Sequence, residues 1–233
     1  MAAGNARRRG WGGHIRRWVV AGWCLSWLPA AFAQLSDDLL VVALRSGPAD
    51  QQARSRAAQQ QFMDAGTNGL AFLMSRVHLE NVMVPVFTRE VLNHLATNEA
   101  VSVLLDFLED GHPRTRKLAA YWLGVFRTPE HAGRLLPLLD DDEAAGAAIR
   151  TLGKWGVREA LPRIHPFLRD PKEVRRVVAA NALRDLGDPA AVPFLIEALG
   201  DPVFTVRETA ARALATMKAP ARARQRPTPG GKM

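Results

Sequence analysis

The feature that most constrains this chain is a leucine that returns at nearly fixed intervals. Leu108, Leu139, Leu168 and Leu199 are separated by 31, 29 and 31 residues. A second series, Leu123, Leu152, Leu183 and Leu214, is separated by 29, 31 and 31 residues. The step from a member of the second series to the next member of the first is always 16 residues. A fixed period of this length marks a stacked array, in which each unit exposes an apolar face that only its neighbour covers. The two residues missing from the second repeat therefore lie between Leu139 and Leu152, in its internal turn.

Other positions keep the same step and show which secondary structure repeats. Ala119, Ala148, Ala179 and Ala210 lie four residues before the second leucine, and Phe126, Trp155, Leu186 and Met217 lie three after it. Offsets of three and four place these side chains on one helical face. A small residue at one level and a large one at another let adjacent helices approach and interlock. Trp122 and Trp155 fit this packing role better than a ligand box. The first helix follows the same logic with Val101, Leu104 and Leu108, then Ala132, Leu135 and Leu139, Leu161, Ile164 and Leu168, and Val192, Leu195 and Leu199. Pro162 and Pro193 occupy one aligned position in its first turn, where a missing N–H costs little.

The turn inside each repeat carries polar columns. Asp110, Asp141, Asp170 and Asp201 each follow the first leucine by two residues. An aspartate there is placed to accept backbone N–H bonds at the start of the second helix. Arg116, Arg176 and Arg207 recur one helical turn later, and Ala145 stands at that place in the shortened repeat. Each arginine is placed to reach an aspartate of a neighbouring repeat, so these columns form a structural Asp/Arg ladder.

Stepping back one period from Leu123 lands on Leu92, with Leu95 at the level of Phe126 and Pro85 at the place of Arg116. This predicts a degenerate repeat over 67–97 ahead of four repeats over 99–217, a solenoid of 67–217 in all. Residues 34–66 form an Ala- and Gln-rich lead-in with a partly helical segment from Gln51 to Asp64. Residues 218–233 carry prolines, glycines and bases without apolar periodicity, and read as a basic disordered tail.

The run from Leu186-Gly187-Asp188-Pro189 through Val192-Pro193-Phe194-Leu195 to Leu199-Gly200-Asp201-Pro202, followed by Val206-Arg207 and Ala210 to Leu214, resembles the HEAT-like repeat family. The resemblance is to its short bacterial form, named after phycobilisome lyases. It implies an all-α fold, a right-handed α-solenoid of stacked two-helix repeats of armadillo-like type. It also implies protein binding as the usual activity, although some relatives attach bilins, some hydroxylate a modified protein lysine and some act on DNA. Fold alone does not choose among these.

Charge and composition narrow the choice. The chain is strongly basic, with a formal charge of +8, but five of its bases lie in residues 1–33 and five in 218–233, without one acid in either segment. The stretch between holds 21 bases against all 23 acids, so no basic groove for DNA or RNA is visible in that balance. The N-terminus reads as a signal peptide over 1–33. Arg7–Arg9, Arg16 and Arg17 precede an apolar run from Trp18 to Phe32, and Ala31 and Ala33 occupy the positions a signal peptidase reads. Cleavage is expected between Ala33 and Gln34, leaving a secreted or periplasmic chain. The alternative is an uncleaved helix anchoring an adaptor to the inner membrane, the one case in which the chain would meet a membrane. Cys24 is the only cysteine and lies inside that segment, so the mature chain would have no disulfide, thiolate site or cysteine nucleophile.

No catalytic or metal constellation is legible. No histidine is followed by glutamate, and His78, His94, His112, His131 and His165 are scattered over different repeats. A His-Glu-x-x-His motif, a phosphate-cradling loop and a nucleophile elbow are absent. The acidic run Asp140–Glu143 reads as a solvated turn at a helix start, where acids suit the helix dipole. The expected function is therefore a scaffold with no chemistry and no cofactor, binding a protein or peptide through its concave helix face. An accessory role like that of bilin lyases is the alternative. The candidate surface is the column two residues before the second leucine, Tyr121, Arg150, Asn181 and Arg212, together with Lys117 on the same face. Tyrosine and arginine are frequent interface anchors.

Overall fold

The computed structural model describes residues 35–78 and 83–218. The expected signal peptide, the Ala33–Gln34 cleavage site and the tail beyond Lys218 lie outside the described residues. Among those described, every regular element is helical, and none of the helices is long and apolar enough to cross a membrane.

The chain divides into two compact units at Ala100/Val101, a boundary inside the array expected over 67–217. In the first unit, α1 (Asp37–Ala43) and α2 (Ala49–Asp64) pack together, and α3 (Thr67–Met74) and α4 (Met83–His94) form a second pair. The lead-in is thus more ordered than its sequence suggested, because α2 runs for 16 residues and buries Ser55, Ala58 and Phe62 on one face. Ser55 Oγ and Gln59 Nε2 each donate to the Ala43 carbonyl at 2.8 Å, which satisfies the open end of α1. Phe62 is fully buried, with the Phe72 and Phe87 rings at 5.7 and 5.6 Å. The expected degenerate repeat corresponds to α3 and α4.

The boundary falls within α5 (Thr97–Asp106), which opens the first of four helical pairs. Its partner is α6 (Pro113–Leu123), followed by α7 (Ala132–Leu135) with α8 (Ala145–Trp155), α9 (Leu161–Ile164) with α10 (Glu173–Leu186), and α11 (Val192–Glu197) with α12 (Phe204–Lys218). The second helices stack in order, α6 on α8, α8 on α10 and α10 on α12. The first helices are short because tighter 3₁₀ turns continue them, over Phe107–Glu109, Leu136–Asp140, His165–Arg169 and Ala198–Gly200. Pro137 and Pro166 sit near the start of two of these turns, where the absent N–H forfeits an α-type bond.

The periodic columns form the core. Ala119, Ala148, Ala179 and Ala210 are wholly buried, as are Leu123, Leu152 and Leu183, with Leu214 close behind. Leu135, Ile164 and Leu195 are their fully buried counterparts in the first helices. Leu199 departs from its column and is 40% exposed. Backbones approach closely at α8 and α10: a Cβ added to Gly153 would lie 2.7 Å from Ala182 Cα. Thr151 Oγ1 donates to the Ala120 carbonyl at 2.7 Å, and Trp155 Nε1 donates to the Phe126 carbonyl, so α8 is also tied to the preceding repeat. Gly156 and Gly187 end α8 and α10 with φ of 71° and 63°, left-handed caps that a side chain would strain.

Candidate functional site

The two-residue deletion has a definite structural outcome. Leu123, Leu183 and Leu214 lie ten residues beyond the starts of α6, α10 and α12, whereas Leu152 lies only seven beyond the start of α8. The turn before α8 is one residue longer than the others, so α8 has lost most of its first helical turn. The place that Arg116, Arg176 and Arg207 hold in the other repeats is taken by Ala145, now the first residue of α8.

Where the ladder is intact it joins successive repeats. Arg116 donates from Nε to Asp141 Oδ2 at 2.7 Å and from Nη1 to the Asp110 carbonyl at 2.8 Å. Arg176 repeats this one cycle on, with Nε to Asp201 Oδ2 at 2.8 Å and Nη1 to the Asp170 carbonyl at 2.9 Å. Arg207 donates to the Asp201 and Pro202 carbonyls at 2.8 and 2.9 Å. The aspartates stand ahead of the helices rather than at the cap itself, which falls at His112, Ala144 and Lys172 for α6, α8 and α10. Their Oδ1 atoms accept N–H bonds two residues on, from His112, Glu143, Lys172 and Val203, all within 2.7–2.8 Å. These are Asx-type turns that aim the chain into the helix.

Burial resists ionisation of Asp141, but the Ala144 and Glu143 N–H groups and the Arg116 guanidinium outweigh it and hold the carboxyl below the usual range. Asp201 is likewise held down against burial, by Arg176, the Val203 N–H and Arg207. With alanine at the ladder position of α8, Asp170 takes its partner from its own repeat. Arg175 Nη1 reaches Asp170 Oδ2 at 3.1 Å, and its Nη2 extends back to the Asp142 carboxylate and carbonyl. Burial works against the Arg175 charge, yet these two aspartates raise its pKa.

The acidic run is consumed in the same way. Asp140 pairs with Arg163 at 2.8 Å, Asp141 with Arg116 at 2.6 Å, Asp142 with Arg175 at 3.3 Å and Glu143 with Lys117 at 3.3 Å. Each acid has its own base, which leaves no free carboxylate cluster for a cation. Among the described residues no group of three His, Cys, Asp or Glu is placed to hold a metal ion.

The missing turn opens a groove of about 590 Å³ on the second-helix face. Gly146 and Ala147 of the shortened α8 form its floor, with Arg150 one turn further on. Lys117, Leu118 and Tyr121 of α6 form one wall, and Val174, Arg175 and Val178 of α10 form the other. Tyr121 is 44% exposed and Val174 is 72% exposed. The Arg150 guanidinium lies 5.7 Å from the Tyr121 ring centroid, within cation–π range, and makes no ion pair among the described residues.

Of the surface residues expected from sequence, the groove therefore gathers Lys117, Tyr121 and Arg150. Asn181 is half-buried and bonds back to the Val177 carbonyl at 3.1 Å, while exposed Arg212 pairs with Glu208 on its own helix. Neither lines the groove. Val174, Leu118 and Lys172 do, and column reading passed over them. The deletion was the signal that pointed there. A larger groove of about 770 Å³ lies beside the Arg176–Asp201 rung, but its walls are ladder groups already paired and the stacked rings of His165 and Phe194, 4.1 Å apart.

The packing and ladder define a class, an α-helical array of stacked two-helix repeats. Part of that array is similar to known repeat proteins. Residues 134–215 match the family model of HEAT repeats. A curated relative, phycocyanobilin lyase subunit alpha of Nostoc sp. PCC 7120, is 37% identical over a segment covering 36% of this chain and 34% of that protein. The chain thus matches about a third of that relative's length. Among solved structures, the complex of CpcE and CpcF of phycocyanin lyase from Nostoc sp. PCC 7120 is similar at a TM-score of 0.49 and 21% identity, covering 83% of this chain and 79% of that one. A designed armadillo repeat protein in complex with the peptide (KR)4 has a TM-score of 0.48 and 18% identity, covering 78% of this chain and 100% of that one.

Proposed function

We propose that this protein is an exported scaffold that binds another protein through the groove over α8 and performs no chemistry of its own. The observation that carries this reading is the missing helical turn. It creates a largely apolar concavity on the second-helix face and leaves Arg150 and Tyr121 facing it, while most of the neighbouring charges are paired. A rigid framework with one interrupted rung is suited to recognition, because the groove exists before the partner arrives and little ordering entropy is lost on binding.

The test is capture of partners from the periplasmic fraction with wild-type, Arg150→Glu, Gly146→Leu and Arg212→Glu proteins. The first two variants lose the captured protein, and Arg212→Glu, outside the groove, keeps it. Equal recovery with both groove variants refutes the assignment. Export rests on the basic and apolar pattern of residues 1–33, and the intact mass of the chain recovered from cells tests it. A mature chain starting at Gln34 is expected, whereas retention of residues 1–33 supports the anchored alternative. A second reading, an accessory subunit in bilin attachment, rests on the partial identity to phycocyanobilin lyase subunit alpha. Absence of tetrapyrrole absorbance after incubation with phycocyanobilin counts against it.

A further inference from the structure

Charge in the second unit is sorted by helix. The helices α6, α8, α10 and α12 carry 11 lysines and arginines against three acids, while the first helices and turns of residues 101–218 carry six against 13. The near-neutral total conceals a bias of bases toward the second helices, several of which pair with acids of the turns. The groove lies on the second helices. Around it Glu143 is paired with Lys117, Asp142 with Arg175, and Glu173 accepts a hydrogen bond from Thr205 Oγ1. The side chains of Arg150 and Lys172 have no such partner among the described residues. The acids of the groove are therefore satisfied internally, and two of its cations are not.

From this we infer that the groove takes an extended protein segment in which a carboxylate side chain lies next to a bulky apolar one. The inference rests on the groove reading above and adds the chemistry of the partner. Arg150 is the anchor: its guanidinium lies over the Tyr121 ring at 5.7 Å and has no ion pair among the described residues, so its N–H donors are available to a carboxylate in a fork. Lys172 supplies a second positive charge at the α10 wall. Val174 and Leu118 offer the apolar contact, and Gly146 lets the ligand backbone approach the floor, since nothing lies within 4 Å of a Cβ built there. A nucleic acid fits less well, because tracking a phosphate backbone takes many unpaired cations and the groove offers two.

The test is an array of nine-residue peptides pairing Asp or Glu with Leu, Phe or Trp, beside a second array with Lys in place of each acid, probed with the full chain. Binding to the first array is expected to exceed the second by about tenfold or more, as for a charge-complementary anchor. Arg150→Glu is expected to remove that preference, and Gly146→Leu to abolish binding to both arrays. Equal binding to the two arrays that Gly146→Leu still abolishes overturns the acidic-partner inference and leaves the groove reading standing. Binding insensitive to Gly146→Leu, or absent from both arrays, overturns both. Displacement of the bound peptides by oligothymidylate at lower concentration than by free acidic peptide also overturns the inference, in favour of nucleic acid.

Discussion

Replacing Gly146 and Gly153 by alanine, one at a time, sets the same chemical change in the same helix against opposite surroundings. Alanine is favoured over glycine inside a helix by about 1 kcal/mol. At Gly146 nothing opposes this gain, because the new Cβ meets no atom within 4 Å. Gly146→Ala should therefore stabilise the protein by about 0.5–1 kcal/mol. At Gly153 the new Cβ would lie 2.7 Å from Ala182 Cα, 2.8 Å from its Cβ and 3.1 Å from its carbonyl oxygen. Two of these atoms are backbone, so relief requires α8 and α10 to separate along their whole contact. Overpacking of this kind costs about 1–3 kcal/mol, and here falls at the upper end. Net destabilisation of about 1–2 kcal/mol remains after the helix gain. Urea unfolding followed by tryptophan fluorescence reads the effect, since Trp122 and Trp155 are 3% and 6% exposed. The two variants should bracket the wild-type midpoint. A Gly153→Ala midpoint equal to that of Gly146→Ala would refute the claim that close helix approach governs this interface.

Two further outcomes follow from the ladder. Asp141 and Asp201 are held below the usual carboxylate range in the folded protein. Their contribution is thus complete above the unfolded pKa of about 3.9 and is lost as pH falls through the lower folded values. The urea midpoint should drop between pH 5 and pH 2, and Asp201→Asn should flatten that limb while lowering the midpoint at pH 7. Arg176→Ala leaves Asp201, with a side chain 8% exposed, without its guanidinium; a loss of about 3 kcal/mol is expected in the same assay, against less than 1 kcal/mol for Arg169→Ala at the exposed pair with Glu197.

Much of the architecture was legible in the sequence because burial in a repeat array is periodic. Ala148 and Leu152 announce their positions by recurring, and so do the aspartates that shape the turns. What recurrence does not show is what a departure from it creates. The missing residues located the irregular repeat, but not that an N-terminal turn of α8 would be lost, nor that Arg175 would turn back to Asp142 in compensation. Arg150 and Tyr121 stood out as a polar column. Asn181 and Arg212 stood in the same column without sharing the groove, because column position fixes the side of a helix and not the depth of the surface in front of it. The summed charge misled for a similar reason: net charge carries no information on which helix holds which sign. In the lead-in, Ser55 and Gln59 cap α1 from a distance in sequence that no local pattern reports.

The acidic turn Asp140–Glu143 gives the array a mechanical character that repetition alone would not. In a solenoid held only by neighbour contacts, load passes from each repeat to the next, and a repeat whose second helix lacks its first turn should yield first. Here that repeat carries a four-way tie. Arg116 and Lys117 pull on it from α6, and Arg163 and Arg175 from α9 and α10. Strain arriving at α8 is therefore carried around it by charge as well as through it by packing. Two of those ties, Lys117–Glu143 and Arg175–Asp142, edge the groove, so ionic strength bears on the groove and on that repeat together.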